Sequence, residues 1–206
     1  NSPILLLPGG YARPAQGVRP NFGALPSYQP ITKWSGQINS AERIPQMLQR
    51  AFTLLRNGGP GPVVLEVPRD VLAEDAGAIL ADYIPPGRAA PLADPAHVRE
   101  VVQALLEASR PVIVAGQGID MAQAWAELGQ LAELVQAPVM TTMNGKSAFP
   151  ENHSLALGAG GNSRPRTVTH FLEKADFVLG IGTSFTRSMF ITPVPPGKLM
   201  GQITID

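Results

Sequence analysis

The chain has 206 residues, 44% of them apolar and 16% charged, and its 16 acidic and 16 basic residues cancel. This length and composition fit a globular α/β protein of one large domain or two small ones. The even charge, without a basic stripe carrying aromatics, excludes the usual nucleic-acid binder, and the lack of cysteine excludes disulfides, thiolate metal sites and a cysteine nucleophile. No apolar run spans a bilayer and none reads as a signal peptide, so neither a membrane nor a nucleic-acid partner is expected and a cytoplasmic location is the default.

In chain order, Pro3 to Leu7 predicts a short buried strand stopped by Pro8-Gly9-Gly10, and Tyr11 to Pro30 a loop without period. A helix follows, with Ser40 as cap, Glu42 and Pro45 in its first turns, and Ile44, Leu48, Ala51 and Leu55 on one face. Gly58-Gly59 ends it. Gly59-Pro60-Gly61 then turns into a buried strand from Pro62 to Val67, closed by Pro68-Arg69-Asp70, where Asp70 is expected to cap the next turn. Residues 76–93 are rich in small residues and proline and read as a linker.

The second unit opens at Asp94-Pro95, an N-cap followed by proline at the first helical position. Val98, Val101, Val102, Leu105 and Leu106 share one helical face. Strands are expected at Pro111–Ala115, Val139–Met143, Phe177–Ile181 and Ile203–Ile205, with helices at Met121–Val135 and Thr167–Lys174 between them. Strands alternating with helices imply parallel pairing with right-handed crossovers, a three-layer Rossmann-like α/β unit. Both ends of the chain run directly into strand-like segments, so it reads as a piece of a longer polypeptide.

Four glycine-bearing segments follow strands or precede helices in this unit: Gly116-Gln117-Gly118, Thr142-Met143 with Gly145, Gly158-Ala159-Gly160-Gly161, and Gly182-Thr183-Ser184. Such loops converge on one crevice where parallel sheets bind nucleotides. The competing reading is ordinary tight turns, since Met121 stands where the dinucleotide fingerprint needs a third glycine. His97, His153 and His170 show no metal-ligand spacing, and no serine sits in a G-x-S-x-G context. Lys33-Trp34 reads as a surface charge beside a partly buried ring.

Taken in order, Pro3–Leu7 with Gly9, Pro30-Ile31-Thr32-Lys33-Trp34, the Gly59–Val71 run, Arg110–Gly116, Lys146–His153 and Ala175–Thr183 resemble the thiamine-diphosphate enzymes that include acetolactate synthases and glyoxylate carboligases. The resemblance covers essentially the whole chain. It implies that residues 1–75 are the later half of a pyrimidine-binding α/β domain and that residues 94–206 belong to the central Rossmann-like domain. The whole protein would be a decarboxylase or carboligase (a transferase or lyase) acting on a small 2-oxo acid with thiamine diphosphate and Mg²⁺, assembled as a homodimer or homotetramer. By that resemblance the activating glutamate would lie upstream of Asn1 and the Gly-Asp-Gly metal segment in a third domain of the same polypeptide, so no catalytic residue is assigned here and the chain alone is expected to be inactive.

Relatives carry FAD or ADP on the central domain. The corresponding contacts would be Gly116, Gln117, Gly118, Thr142, Met143, Gly158, Ala159, Gly160, Gly161, Gly182, Thr183, Ser184 and Asp206. Three departures stand out. Ala159-Gly160 replaces the Met-His of flavin-binding relatives, and Ser184 and Thr186 stand where they have arginine and aspartate. Arg19-Pro20-Asn21 falls where acetolactate synthases have Phe-Gln-Glu. The alternative reading is a stand-alone FAD- or ADP-binding module without catalysis.

Overall fold

The structure is a computed structural model that describes residues 2–77, 79, 83–89, 91–186 and 191–205. The chain divides into two compact units, Asn1–Pro91 and Leu92–Asp206. Of the expected linker, residues 78, 80–82 and 90 lie outside the described residues.

The first unit is built around one strand, β4 (Val63–Pro68), with β1 (Leu5–Leu6) and β2 (Gly9–Gly10) along one side and β3 (Trp34–Gln37) along the other, all parallel to it. The main-chain pattern shows the two sides. The N–H groups of Val63, Val67 and Arg69 donate to Ile4, Pro8 and Gly10, while the carbonyls of Pro62 and Glu66 accept from Lys33 and Ile38. The expected Pro3–Leu7 strand is therefore shorter, and it resumes at Gly9-Gly10 where a stop was read. It is also not buried: Ile4 and Leu7 are more than half exposed, because β1 borders β4 alone.

Alternation along β4 separates its two faces. Val63, Leu65 and Val67 pack with Met47 and Ala51 of α2 (Ile44–Arg56), joined by Ile44, Leu48, Leu54 and Leu55. Val64, Glu66 and Pro68 turn to the other face, where the short α1 (Ala24–Tyr28) packs on β3 and β4. Both ends of α2 are tied down by distant side chains. Ser40 makes no capping bond; Glu74 Oε2 instead accepts from the Ala41 N–H at 2.7 Å. At the other end Lys33 Nζ donates to the carbonyls of Leu54 and Asn57 at 2.7 and 3.0 Å, satisfying acceptors that a helix end leaves open.

The second unit is a five-stranded, all-parallel sheet in the order β7-β6-β5-β8-β9, comprising β5 (Pro111–Ala115), β6 (Val139–Thr141), β7 (Ala156–Ala159), β8 (Phe177–Ile181) and β9 (Leu199–Ile203). Ile113, Ala115, Phe177 and Leu179 face α3 (Pro95–Glu107) and α5 (Trp125–Val135). Val112, Val114 and Val178 face α6 (Arg166–Lys174). The three-layer α/β expectation holds. Each fully buried aliphatic side chain of this core contributes about 1.5–3 kcal/mol.

Four local readings are corrected. Of the expected α3 face only Leu105 is buried; Val98, Val102 and Leu106 are exposed, and Ala104 and Ala108 pack with Val101 instead. The helix expected at Met121–Val135 is two: α4 (Gly118–Ala122) and α5, separated by Gln123 in the left-handed region (φ 57°) and bridged by Trp125 Nε1 donating to Asp120 Oδ1 at 2.7 Å. Strand β7 was not expected. Strand β9 begins at Leu199, earlier than Ile203, because Gly201 lets it lie under Val101 and Phe177, where a Cβ would come within 3.0–3.2 Å of them.

Candidate functional site

The second unit starts on its middle strand, β5, moves to β6 and β7 on one side, and returns to β8 and β9 on the other. The loops after β5 and β8 therefore meet at the point where strand order reverses, the usual ligand position in such sheets. They meet backbone to backbone. The Gly118 N–H donates to the Gly182 carbonyl at 2.9 Å, the Gly116 N–H to Ile181 at 2.8 Å and the Gly182 N–H to Ile203 at 2.8 Å. A Cβ on Gly116 would lie 2.2 Å from the Gly182 oxygen, and one on Gly118 2.5 Å from the Gly182 Cα. Gly145 is pressed on Gly116 in the same way, at 2.6 Å. These amides are spent on the neighbouring strand ends and loop, and the helix that follows Gly118 has only five residues.

The other proposed residues surround this contact. The Thr142 N–H donates to Ala115 at 2.8 Å, while its hydroxyl accepts from the Gly145 N–H at 3.1 Å. Ala159 pairs with Thr141 in β7, and the Gly160 N–H donates to the Thr141 carbonyl at 2.7 Å. Gly158 (φ 98°) sits at the β7 irregularity against Pro165. Gln117 precedes α4, and Ser184 shares a 2.7 Å hydroxyl contact with Thr186. Asp206 lies outside the described residues.

Met143, Gly160, Gly161 and Thr183 line a cavity together with Phe185 and Thr192, two residues the sequence reading missed. The Thr192 hydroxyl accepts from the Gly161 N–H at 2.7 Å, and the Phe185 ring lies over Gly180, where a Cβ would be 2.2 Å from the ring. A glycine inside a strand marks a close approach, so Gly180 was the available signal for Phe185. The remaining cavity is about 20 Å³, room for about one water. Phe185 and Thr192 thus occupy the space between these loops.

Among the described residues the histidines form no cluster of three or more metal-ligating side chains. His153 Nδ1 accepts from the Leu155 N–H at 3.1 Å, leaving Nε2–H to donate to Glu133 at 3.1 Å, so it fastens a loop. Asp70 does not cap. Its carboxylate accepts from the main chain and the Nε of Arg13 at 3.1 and 2.7 Å, and Arg13 also pairs with Glu74 at 2.7 Å. The Arg13 side-chain hydrogen bond, opposed by partial burial, holds the Asp70 carboxyl below the usual range. For Asp176, burial opposes ionisation, yet the N–H groups of Arg110 and Ser109, each at 2.9 Å, hold it below that range too.

Residues 98–206 match the model of the thiamine pyrophosphate enzyme central domain. A protein designated an acetolactate synthase large subunit, from Methanocaldococcus jannaschii, is 33% identical over 195 residues, which is 90% of this chain and 33% of that protein. Glyoxylate carboligase of Escherichia coli O157:H7 is 37% identical over 160 residues, 77% of this chain and 27% of the relative. A solved structure from Mycobacterium smegmatis, assigned as a thiamin diphosphate-dependent enzyme, superposes with a TM-score of 0.72 at 27% identity, over 99% of this chain and 40% of that one. The chain thus spans a third or less of these two curated relatives.

Proposed function

The chain belongs to the thiamine pyrophosphate enzymes, whose central domain it carries, and from that premise we propose that it is part of a decarboxylase or carboligase acting on a small 2-oxo acid. One observation carries the reading: similarity to an acetolactate synthase large subunit runs through both units, over 195 residues, and is not confined to the central domain. The similarity to a glyoxylate carboligase supports the same reaction class.

In that class thiamine diphosphate, when bound, supplies the nucleophilic carbon and the electron sink. Its diphosphate and metal side does not fit onto these residues. Among the described residues no three metal-ligating side chains gather, and the chain contains no Gly-Asp-Gly. The role of the second unit is structural, supported by loops that close on one another through Gly116, Gly118 and Gly182. The partners are the remaining domains of the same polypeptide and further copies of it, in a dimer or tetramer.

The test is a polypeptide that extends this chain to the length of its relatives. It should release CO₂ from pyruvate or glyoxylate only with thiamine diphosphate and Mg²⁺, while the 206-residue chain alone should not. Robust turnover by the chain alone, or none by the extended protein with any small 2-oxo acid, would refute the reading. A second reading, a nucleotide-carrying module, draws on the glycine-bearing loops that meet at the strand-order reversal. It requires a flavin spectrum or release of ADP on denaturation; a clean spectrum and no nucleotide would exclude it.

A further inference from the structure

Two asparagines in the chain stand directly before glycine, Asn57-Gly58 and Asn144-Gly145. Asparagine is a thermolabile residue, and the glycine after it matters because no Cβ shields its main-chain nitrogen. That nitrogen can attack the side-chain amide carbon of the preceding residue. Both pairs carry this local chemistry, and the fold treats them differently.

Asn57 is half-buried, and its amide is held at both ends. Its Nδ2 donates to the Thr53 carbonyl at 2.8 Å, and its Oδ1 accepts from the Ala89 N–H at 2.5 Å. The side chain cannot turn toward Gly58 without breaking both bonds. Asn144 is exposed, and among the described residues its side chain makes no hydrogen bond. The Gly145 N–H does donate, to the Thr142 carbonyl and hydroxyl, each at 3.1 Å. Those bonds lie along the N–H, in the peptide plane, whereas the attacking electron pair stands perpendicular to it. They leave the reactive face of the nitrogen uncovered.

We propose that Asn144 is a site of spontaneous deamidation, and that the reaction unseats the glycine beside it. A bond forms from the Gly145 nitrogen to Asn144 Cγ while the nitrogen's proton passes to solvent. The bond from Cγ to Nδ2 breaks, and ammonia leaves. Water then opens the cyclic imide at either carbonyl, giving aspartate or isoaspartate, with nothing oxidised or reduced. Isoaspartate runs the main chain through the former side chain and so inserts an extra carbon before Gly145. There is no slack for it. Gly145 is buried, and a Cβ there would lie 2.6 Å from the Gly116 carbonyl carbon and 2.9 Å from the Ala115 oxygen. Ala148 and Phe149 are fixed in the core just beyond, so the added length cannot pass down the loop. The conversion therefore breaks the contact of Gly145 on Gly116.

The experiment ages the full 206-residue chain at mildly alkaline pH, folded and in urea, and follows both asparagines by peptide mapping with mass spectrometry. The ratio of the two rates in urea is the baseline set by sequence alone. In the folded chain the ratio of Asn144 to Asn57 conversion should exceed that baseline at least about tenfold, because Asn57 must first give up two hydrogen bonds. Asn144→Gln should abolish conversion at this position, since its longer side chain would have to close a larger ring. Protein carrying isoaspartate at 144 should unfold at lower urea than fresh protein. Asn144→Asp, which adds the charge without lengthening the main chain, should unfold like fresh protein. A folded ratio at or below the baseline, or an Asn144 that stays intact in the folded chain, would overturn the proposal. So would isoaspartate at 144 without loss of stability, or an equal loss in Asn144→Asp.

Discussion

Gly182 shows how a residue can be legible in kind and obscure in cause. Its position after a strand marks a tight turn, but its partner, Gly118, is remote in sequence, and local pattern says nothing about contacts between separate loops. At φ 64°, and with its Cβ position 2.6 Å from the Gly118 Cα, Gly182→Ala combines backbone strain with overlap. It should destabilise the second unit by about 2–4 kcal/mol in urea titration. Asp70 illustrates the same limit, because Arg13 lies 57 residues away and only a local capping role could be read for the carboxylate. Its depressed pKa fixes the sign of a pH effect. Stability from the pair is fully present above the unfolded carboxylate value near 4 and is lost as pH falls through the lower folded value. Asp70→Asn should therefore lower stability at neutral pH and flatten its fall below about pH 4, as acid titrations followed by circular dichroism would show. Both side chains are partly exposed, so solvent screens the pair and salt should shrink the difference.

Helix α3 announced its start better than its buried face. Asp94 was readable as a cap from the Asp-Pro pair alone, and its carboxylate does accept from the Ala96 N–H at 2.8 Å. Asp94→Ala should cost about 1 kcal/mol, measured on the unfolding of the second unit. The break after α4 was not readable, because Gln123 carries no glycine or proline signal and the left-handed turn is braced by Trp125 on Asp120. Strands β3 and β7 escaped for another reason. Trp-Ser-Gly-Gln and Ala-Leu-Gly-Ala lack the branched apolar run that marks a buried strand. They are strands because β4 and β6 lie alongside with open hydrogen-bonding edges. Strands β5 and β8, rich in Val, Leu and Ile and buried on both faces, were read almost to the residue.

At the scale of the molecule, the alternation of buried runs with helices sufficed for the parallel three-layer second unit, and no described helix is long and apolar enough to cross a membrane. Strand order was not legible, since it depends on which edge each crossover returns to. That order puts β9 at the rim with Leu199, Met200 and Ile203 exposed. An open apolar strand edge templates association. Light scattering of the purified chain should therefore rise with concentration, and Leu199→Lys should suppress the rise. The candidate site divides in the same way: its glycines could be placed on one edge from sequence, but Phe185 and Thr192, which fill the space between them, could not.

The backbone closure at Gly116, Gly118, Gly145 and Gly182 also bears on how this edge can diversify. Where a pocket is bounded by side chains, a single replacement by a smaller residue enlarges it. Here the boundary is main chain, and glycine is already the smallest residue available. Substitution of these glycines can only crowd the mouth. A descendant with room for a larger guest would have to shrink the side chains of Phe185 and Thr192, or gain or lose residues in the loops themselves, because the glycine boundary has nothing left to give up.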